Sequence, residues 1–205
     1  MSQTATSPRK GRKYDQVLQG ARDVFMAHGF VGASVDDIAR AAGVAKATLD
    51  SYFPDKRLLF MEVARHDSAR QADAPMVLSG ACCTPRDVLT AAGRHILSVS
   101  LSEFGLRMFR ICVAEADRFP DLGRQFYESG PMVVRARLRD YLQGAATRGE
   151  LQIEDFDLAA DQFAELCRGD LVPRLDFNIH TSFTQDERER IASGAVDMFM
   201  ARYGT

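Results

Sequence analysis

Four cations with no acid among them, Arg9, Lys10, Arg12 and Lys13, precede and open the first helical pattern of the chain. Such a cluster can lie along phosphates or enter a minor groove, adding salt-dependent affinity and little base information. Further on, Lys46 begins one expected helix and Lys56 falls in the first turn of the next, where free N–H groups and the helix dipole favour phosphate. Asp50 lies between them. A carboxylate there repels phosphates unless it accepts from a cytosine amino group; the alternatives are that it faces solvent or bonds to a nearby lysine. These groups suit the holding of DNA and not the turnover of a substrate. The histidines, His28, His66, His95 and His180, are scattered, and the chain has no His-Glu-x-x-His pair, no Gly-x-Ser-x-Gly elbow, no phosphate-cradling glycine loop and no Cys-x-x-Cys. No enzyme, metal or cofactor is expected.

The elements that must position these groups are helices. Val17, Leu18, Ala21, Val24 and Phe25 recur at helical spacing, predicting a first helix over about residues 12–28 that Gly29 ends. Ser34 is an N-cap, with Asp37 three positions on able to return a bond to the helix start. The helix it opens at Val35 is short, because Gly43 can take a positive φ and close a tight turn. Val44 leads into a second helix to about Phe53, stopped by Pro54, and Asp55 or Ser51 caps the next. Ile38, Val44 and Leu49 form the small core of the pair, and Ala39 and Ala42 let the backbones approach. Two short helices joined by a glycine turn are the grammar of a helix-turn-helix, whose second helix enters the major groove.

The run from Ser34 to Leu49, Ser-Val-Asp-Asp-Ile-Ala-Arg-Ala-Ala-Gly-Val-Ala-Lys-Ala-Thr-Leu, followed by Tyr52-Phe53 and Asp55-Lys56, resembles the DNA-binding head of the TetR family of transcriptional regulators. The resemblance covers roughly residues 9–62. It implies DNA contacts from Ser34, Lys46, Thr48, Tyr52 and Lys56, and the expected surface includes Ala47, Asp50 and Ser51 together with Arg9, Lys10, Arg12 and Lys13. Two positions depart from the family pattern. Ala45 replaces the usual serine or threonine cap of the recognition helix, at a cost of about 0.5–2 kcal/mol. Asp50 replaces a tyrosine that usually meets the DNA backbone.

The 205 residues exceed one small module, and a formal net charge of −2 excludes a wholly basic nucleic-acid protein, so the basicity must be local. Residues 1–8 have no apolar core for a signal peptide, and nowhere do eighteen apolar residues run together, so a cytoplasmic protein without membrane contact is expected. Four cysteines fit reduced thiols better than a disulfide framework. Cys112 and Cys167 fall in apolar periodicities and read as inert core. The adjacent Cys82-Cys83 could make a thiol-responsive regulator, although they lack the further ligands of a metal site.

Beyond the head the expected helices cover about residues 56–70, 85–100, 103–117, 121–147 with a break at Gly130-Pro131, 157–168 and 184–203. A loop with Pro75 and Gly80 spans 71–83. Thr84-Pro85 and Thr184-x-x-Glu187 are start signals. The fold is therefore all-α with about nine helices: a flexible arm over 1–11, a three-helix head over 12–54 and a helical regulatory and dimerisation domain over 55–205. The stretch from Glu115 to Leu151 looks like the C-terminal domain of the AefR-like branch of the family.

That resemblance implies a homodimer joined through its last two helices. The last helix offers two apolar stripes, Ile191-Ala195-Met198 and Ala192-Val196-Phe199, wider than one subunit requires. Leu158, Gln162, Leu166, Ile191, Ala195, Val196 and Phe199 are the expected interface. A two-fold dimer sets its recognition helices about 34–36 Å apart on a pseudo-palindrome. The resemblance also implies a small-molecule pocket. His95, Met108, Cys112, Phe126, Tyr127, Met132, Phe163 and Cys167 suit an adaptable apolar cavity or ordinary core. Glu115 either anchors a ligand or pairs with Arg135 or Arg139. The expected function is a repressor released from its double-stranded operator by a small lipophilic effector. The alternatives are an effector-independent DNA-binding dimer and the thiol-responsive regulator.

Overall fold

The computed structural model describes residues 11–73 and 83–205. They fold into eleven helices: α1 (Arg12–Gly32), α2 (Val35–Ala42), α3 (Lys46–Tyr52), α4 (Lys56–Asp73), α5 (Pro85–Ser100), α6 (Glu103–Ala114), α7 (Pro120–Ser129), α8 (Pro131–Thr147), α9 (Phe156–Arg168), α10 (Leu171–Asp176) and α11 (Gln185–Tyr203). Among these residues there is no strand, only one bridge between Leu151 and Gly204. The all-α expectation holds. Two helices exceed the expected nine, because Gly130-Pro131 fully divides α7 from α8 and because α10 was not expected. The Gly130 backbone at φ −118°, ψ −85° is not helical, and Pro131 then opens α8.

The chain forms two compact units, one comprising residues up to Asp67 with 111–126, the other residues 68–110 with 127–205. In the first, α1 buries Val17, Leu18, Ala21, Val24 and Phe25, and Gly29 at φ 69° interrupts its helical geometry. Packing of α1 on α2 depends on Gly20: a Cβ there would lie 2.6 Å from the Ala42 amide nitrogen. Ser34 caps α2, its hydroxyl accepting from the Asp37 N–H at 3.0 Å and donating to the Asp37 carboxylate at 2.6 Å. Gly43 at φ 64°, ψ 33° ends α2 in the left-handed conformation that favours glycine.

The expected boundary at residue 55 is corrected by this division. The start of α4 belongs to the head because Leu59, Phe60, Val63 and Ala64 are buried there, with the Phe60 ring edge-on to Phe25 and Phe30 at 5.1 and 5.3 Å. The Phe119 ring also reaches Phe30, at 5.3 Å, which brings the segment 111–126 into the same unit. Helix α4 continues to Asp73, past the expected end at residue 70. The rest of the expected loop, 74–82, lies outside the described residues, as do Arg9, Lys10 and Cys82.

In the second unit α5, α9 and α11 pack on one another, and α8 packs on α9. Thr84 and Thr184 each make a complete capping box, with Asp87 and Glu187. The core joins Leu89, Leu138, Leu142, Phe163 and Phe199, and the Phe163 and Phe199 rings meet edge to face at 5.2 Å. A satellite cluster holds Leu97, Leu171, Leu175, Phe183 and Ala192. Burying each of these leucine and phenylalanine side chains contributes about 1.5–3 kcal/mol. Among the described residues no helix is long and apolar enough to cross a membrane.

Candidate nucleic-acid interface

The outer surface of α3 begins at Ala45, whose methyl group makes no capping bond. Lys46, Ala47, Asp50 and Ser51 are exposed on this helix, Thr48 and Tyr52 are half-buried, and Leu49 faces the core. Arg12 and Lys13 are exposed at the start of α1. Lys46 is already engaged: its Nζ lies 2.9 Å from Asp36 Oδ1 at the start of α2. The Asp36 carboxylate, by hydrogen bond and charge, holds the Lys46 pKa above its ordinary value. Nothing in the spacing announced this pair, since its partners are ten positions apart on different helices. Asp37 is likewise taken by Arg40 at 2.7 Å. The Ser34 hydroxyl, then Arg40, keeps the Asp37 carboxyl below the usual range.

Ser51 does not cap α4; its hydroxyl donates to the Thr48 carbonyl at 2.7 Å, within its own helix. The cap comes from Asp55, whose carboxylate accepts from the Arg57 N–H at 2.8 Å. Lys56 departs furthest from the expected phosphate contact. Its Nζ donates to the Phe30 and Ala33 carbonyls at 2.8 and 2.9 Å and sits 4.7 Å above the Phe30 ring. It thus satisfies the backbone at the corner between α1 and α2, and burial lowers its pKa. Tyr52 ends α3 against Tyr14, edge to face at 5.6 Å. The Tyr14 hydroxyl donates to Glu62, which Arg65 grips with two further bonds. Burial and the Glu62 carboxylate push the Tyr14 phenol up. This clamp fixes the end of the recognition helix to α1 and α4, and sequence reading missed it because its members are 48 positions apart.

The residues expected to line a pocket differ in exposure. Phe163 and Cys167 are wholly buried in the continuous core of the second unit. Met108 and Cys112 are buried too, while Phe126 is half-buried, and Tyr127 and Met132 are exposed and not enclosed. Burial pushes the Cys112 and Cys167 thiols up to about 12, as suits inert cysteines. Cys83 is exposed. His95 is half-buried, and desolvation followed by the charge of Arg137 holds its pKa below the ordinary value. The expected arginine partners of Glu115 are engaged elsewhere, Arg135 with Asp161 at 2.6 Å and Arg139 with Asp140 at 3.0 Å. Glu115 instead adds its charge to the surroundings of Lys56, within the first unit.

Part of the expected dimer surface is buried within the subunit and part is exposed. Ala195, Val196 and Phe199 are buried in their own core, because α11 packs against α5 and α9 at once and so needs two apolar stripes within one subunit. Ile191 is partly buried over Gly169, and Leu166 partly buried against the core. Leu158 remains exposed, as does Met198, and exposed Gln162 accepts from the Tyr203 hydroxyl at 2.6 Å.

Similarity to known proteins agrees with this geometry. Residues 17–63 match the model of the bacterial regulatory proteins of the tetR family, and residues 87–205 match the AefR-like transcriptional repressor C-terminal domain. Among curated relatives, the HTH-type transcriptional repressor AcnR of Corynebacterium diphtheriae is 34% identical over 95 residues, 46% of this chain and 47% of that protein. The chain thus spans about half the length, or less, of the curated relatives it matches. Among solved structures, a TetR-family transcriptional regulator from Mesorhizobium loti is 28% identical with a TM-score of 0.87, over 96% of this chain and all (100%) of the other. The flavonoid-responsive regulator FrrA is 32% identical with a TM-score of 0.79, over 95% of this chain and 98% of its own. A turn of left-handed glycine between two short helices and a family match that takes in more than half of the sequence lead to one assignment: the chain belongs to the TetR family of bacterial regulatory proteins, with a C-terminal domain of the AefR-like type.

Proposed function

We propose that this protein is a homodimeric transcriptional repressor that binds a pseudo-palindromic operator in the cytoplasm through α3 and leaves it when a small lipophilic molecule binds. The observation that carries the reading is the geometry of α2, Gly43 and α3, which leaves Lys46, Ala47, Asp50 and Ser51 facing outward from a helix clamped at its Tyr52 end. Arg12 and Lys13, with Arg9 and Lys10 before them, supply phosphate affinity, and Asp50 accepts from a cytosine amino group. Lys56 acts on DNA through its corner and not as a free cation. A relative that responds to flavonoids, at 32% identity over nearly the whole chain, makes planar aromatic compounds of that kind the first effectors to test. Linkage sets the size of the response: the effector lowers DNA affinity only as far as it prefers the conformation that DNA disfavours.

Selection of bound sequences from a random duplex pool at defined salt tests the reading. Enrichment of two half-sites related by a two-fold axis is expected, followed by release of that duplex on addition of a flavonoid. No enrichment at low salt would remove operator binding from the account. A second reading, a DNA-binding dimer without effector, is favoured by the burial of Phe163 and Cys167 in a continuous core. It predicts an operator complex that no such compound dissolves.

A further inference from the structure

The two helices of the DNA-reading motif carry no cation that a carboxylate of the same motif does not already hold. Between Val35 and Tyr52 the bases are Arg40 and Lys46 and the acids Asp36, Asp37 and Asp50. Arg40 sits 2.7 Å from Asp37, and Lys46 sits 2.9 Å from Asp36. What remains is Asp50, whose charge also acts on Lys46. A surface built to attract phosphate indiscriminately would have the opposite balance.

The Lys46–Asp36 pair is open to exchange. Its side chains are 55% and 64% exposed, so water screens them and the pair is weak on its own. For Lys46, giving up Asp36 for one DNA phosphate trades one anion for another and gains little. Giving it up for the O6 and N7 acceptors of a guanine in the groove adds a base contact to the neighbouring phosphate field. A carboxylate at Asp36 therefore costs binding on every duplex, and the cost is offset only where a base edge gives Lys46 a better acceptor.

From this juxtaposition we infer that Asp36 is a specificity-determining residue: it withholds Lys46 from non-cognate DNA and yields it to a guanine-bearing operator. The inference rests on the reading of α3 as the helix that enters the groove.

The test compares wild type, Asp36→Asn, Asp36→Glu and Lys46→Ala on a random-sequence duplex pool and on the duplex that wild type binds best from that pool, across a salt series. Asp36→Asn is expected to bind the random pool about three- to fivefold more tightly, the range of a weak surface pair. Its plot of log affinity against log salt should steepen by about 0.9, one more released counterion. The best duplex should gain less, so discrimination falls. Asp36→Glu, which keeps the charge, should retain wild-type discrimination, a rescue that a purely structural role for Asp36 does not require. Should the asparagine variant fail to fold, Asp36→Ala serves the same comparison. If the neutral variant binds random DNA with unchanged affinity and salt slope while Lys46→Ala weakens the best duplex, the inference falls and the groove-helix reading stands. If Lys46→Ala also changes nothing, both fall.

Discussion

All four lysines of the chain, Lys10, Lys13, Lys46 and Lys56, lie within its first 56 residues, and every cation beyond them is an arginine. In the second unit the arginines are clips. Arg86 holds Asp197, Arg94 grips Glu189 with two bonds, and Arg135 spans Asp157 and Asp161, joining α5 to α11 and α8 to α9. The planar fork of arginine suits a fixed carboxylate, whereas lysine is a point charge on a flexible stem that changes partner readily. The packing differs in the same sense. Around its buried Phe25, Phe60 and Leu49 the head adds a backbone approach at Gly20 and a polar clamp at Tyr14, while the second unit is centred on the filled volume around Phe163 and Phe199. The first unit thus carries in Lys46 an exposed cation that can change partner, while the second uses its arginines to join helices.

The largest effect should come from the filled volume. Phe163→Ala, at a site with no exposure, is expected to cost about 3–5 kcal/mol in urea unfolding. Amide exchange should then quicken at Leu142 and Val196 before Leu49; equal quickening in both units would break the distinction.

Next in size is a pair of glycine substitutions. At Gly20 the added methyl meets Ala42 backbone, which cannot turn aside, so Gly20→Ala should destabilise by about 1–3 kcal/mol despite the better helix propensity of alanine. At Gly93 the neighbour is the Cys167 sulfur at 3.1 Å, a side chain that can shift, and the propensity gain of about 1 kcal/mol should leave Gly93→Ala near neutral. Similar urea midpoints for the two would remove the contrast between backbone and side-chain contact.

A smaller loss, about 1 kcal/mol, is expected for Tyr14→Phe, since Arg65 still satisfies the Glu62 carboxylate. Operator affinity should fall with it, because Tyr52 loses a fixed neighbour at the end of α3. A stability loss with operator affinity unchanged would confine the clamp to folding.

The smallest effect is a difference in acid sensitivity. His95 has a depressed pKa, so the folded second unit binds fewer protons than its unfolded chain. Its stabilising contribution is complete above about pH 6.5, the unfolded value, and is lost as pH falls from there through the folded pKa. In the head the depressed carboxylates are Asp37 and Asp55, which act only below about pH 4, and the depressed Lys56 lies far above the neutral range. Melting between pH 7.5 and 5.5 should therefore soften in wild type and less so in His95→Gln; parallel curves would discount the histidine.

Legibility in the sequence followed the range of the interaction. The caps at Ser34, Thr84 and Thr184 and the turn at Gly43 were readable because each acts over three or four residues. Helix α10 was not: six residues with Pro173 inside are too short for a helical period to declare itself. The two stripes of α11 are apolar as expected, but periodicity reports that a face is apolar and not what covers it: Ala192, Ala195, Val196 and Phe199 pack within the subunit, while Met198 stays exposed. Lys46 with Asp36, Lys56 with the Phe30 and Ala33 carbonyls, and Tyr14 with Glu62 were all invisible for one reason: each joins residues brought near only by the tertiary fold.

The confinement of lysine to the head makes the molecule its own reporter. An amine-directed label, followed by peptide mass analysis, can touch only residues within the first 56 and is blind to the second unit. Within that set Lys56 differs from Lys46, because its nitrogen becomes a nucleophile only after leaving two carbonyls. On the proposed reading of α3, shielding of Lys46 would record contact with DNA, and any rise in Lys56 labelling would record that the corner between α1 and α2 has come apart, two readings taken from one digest.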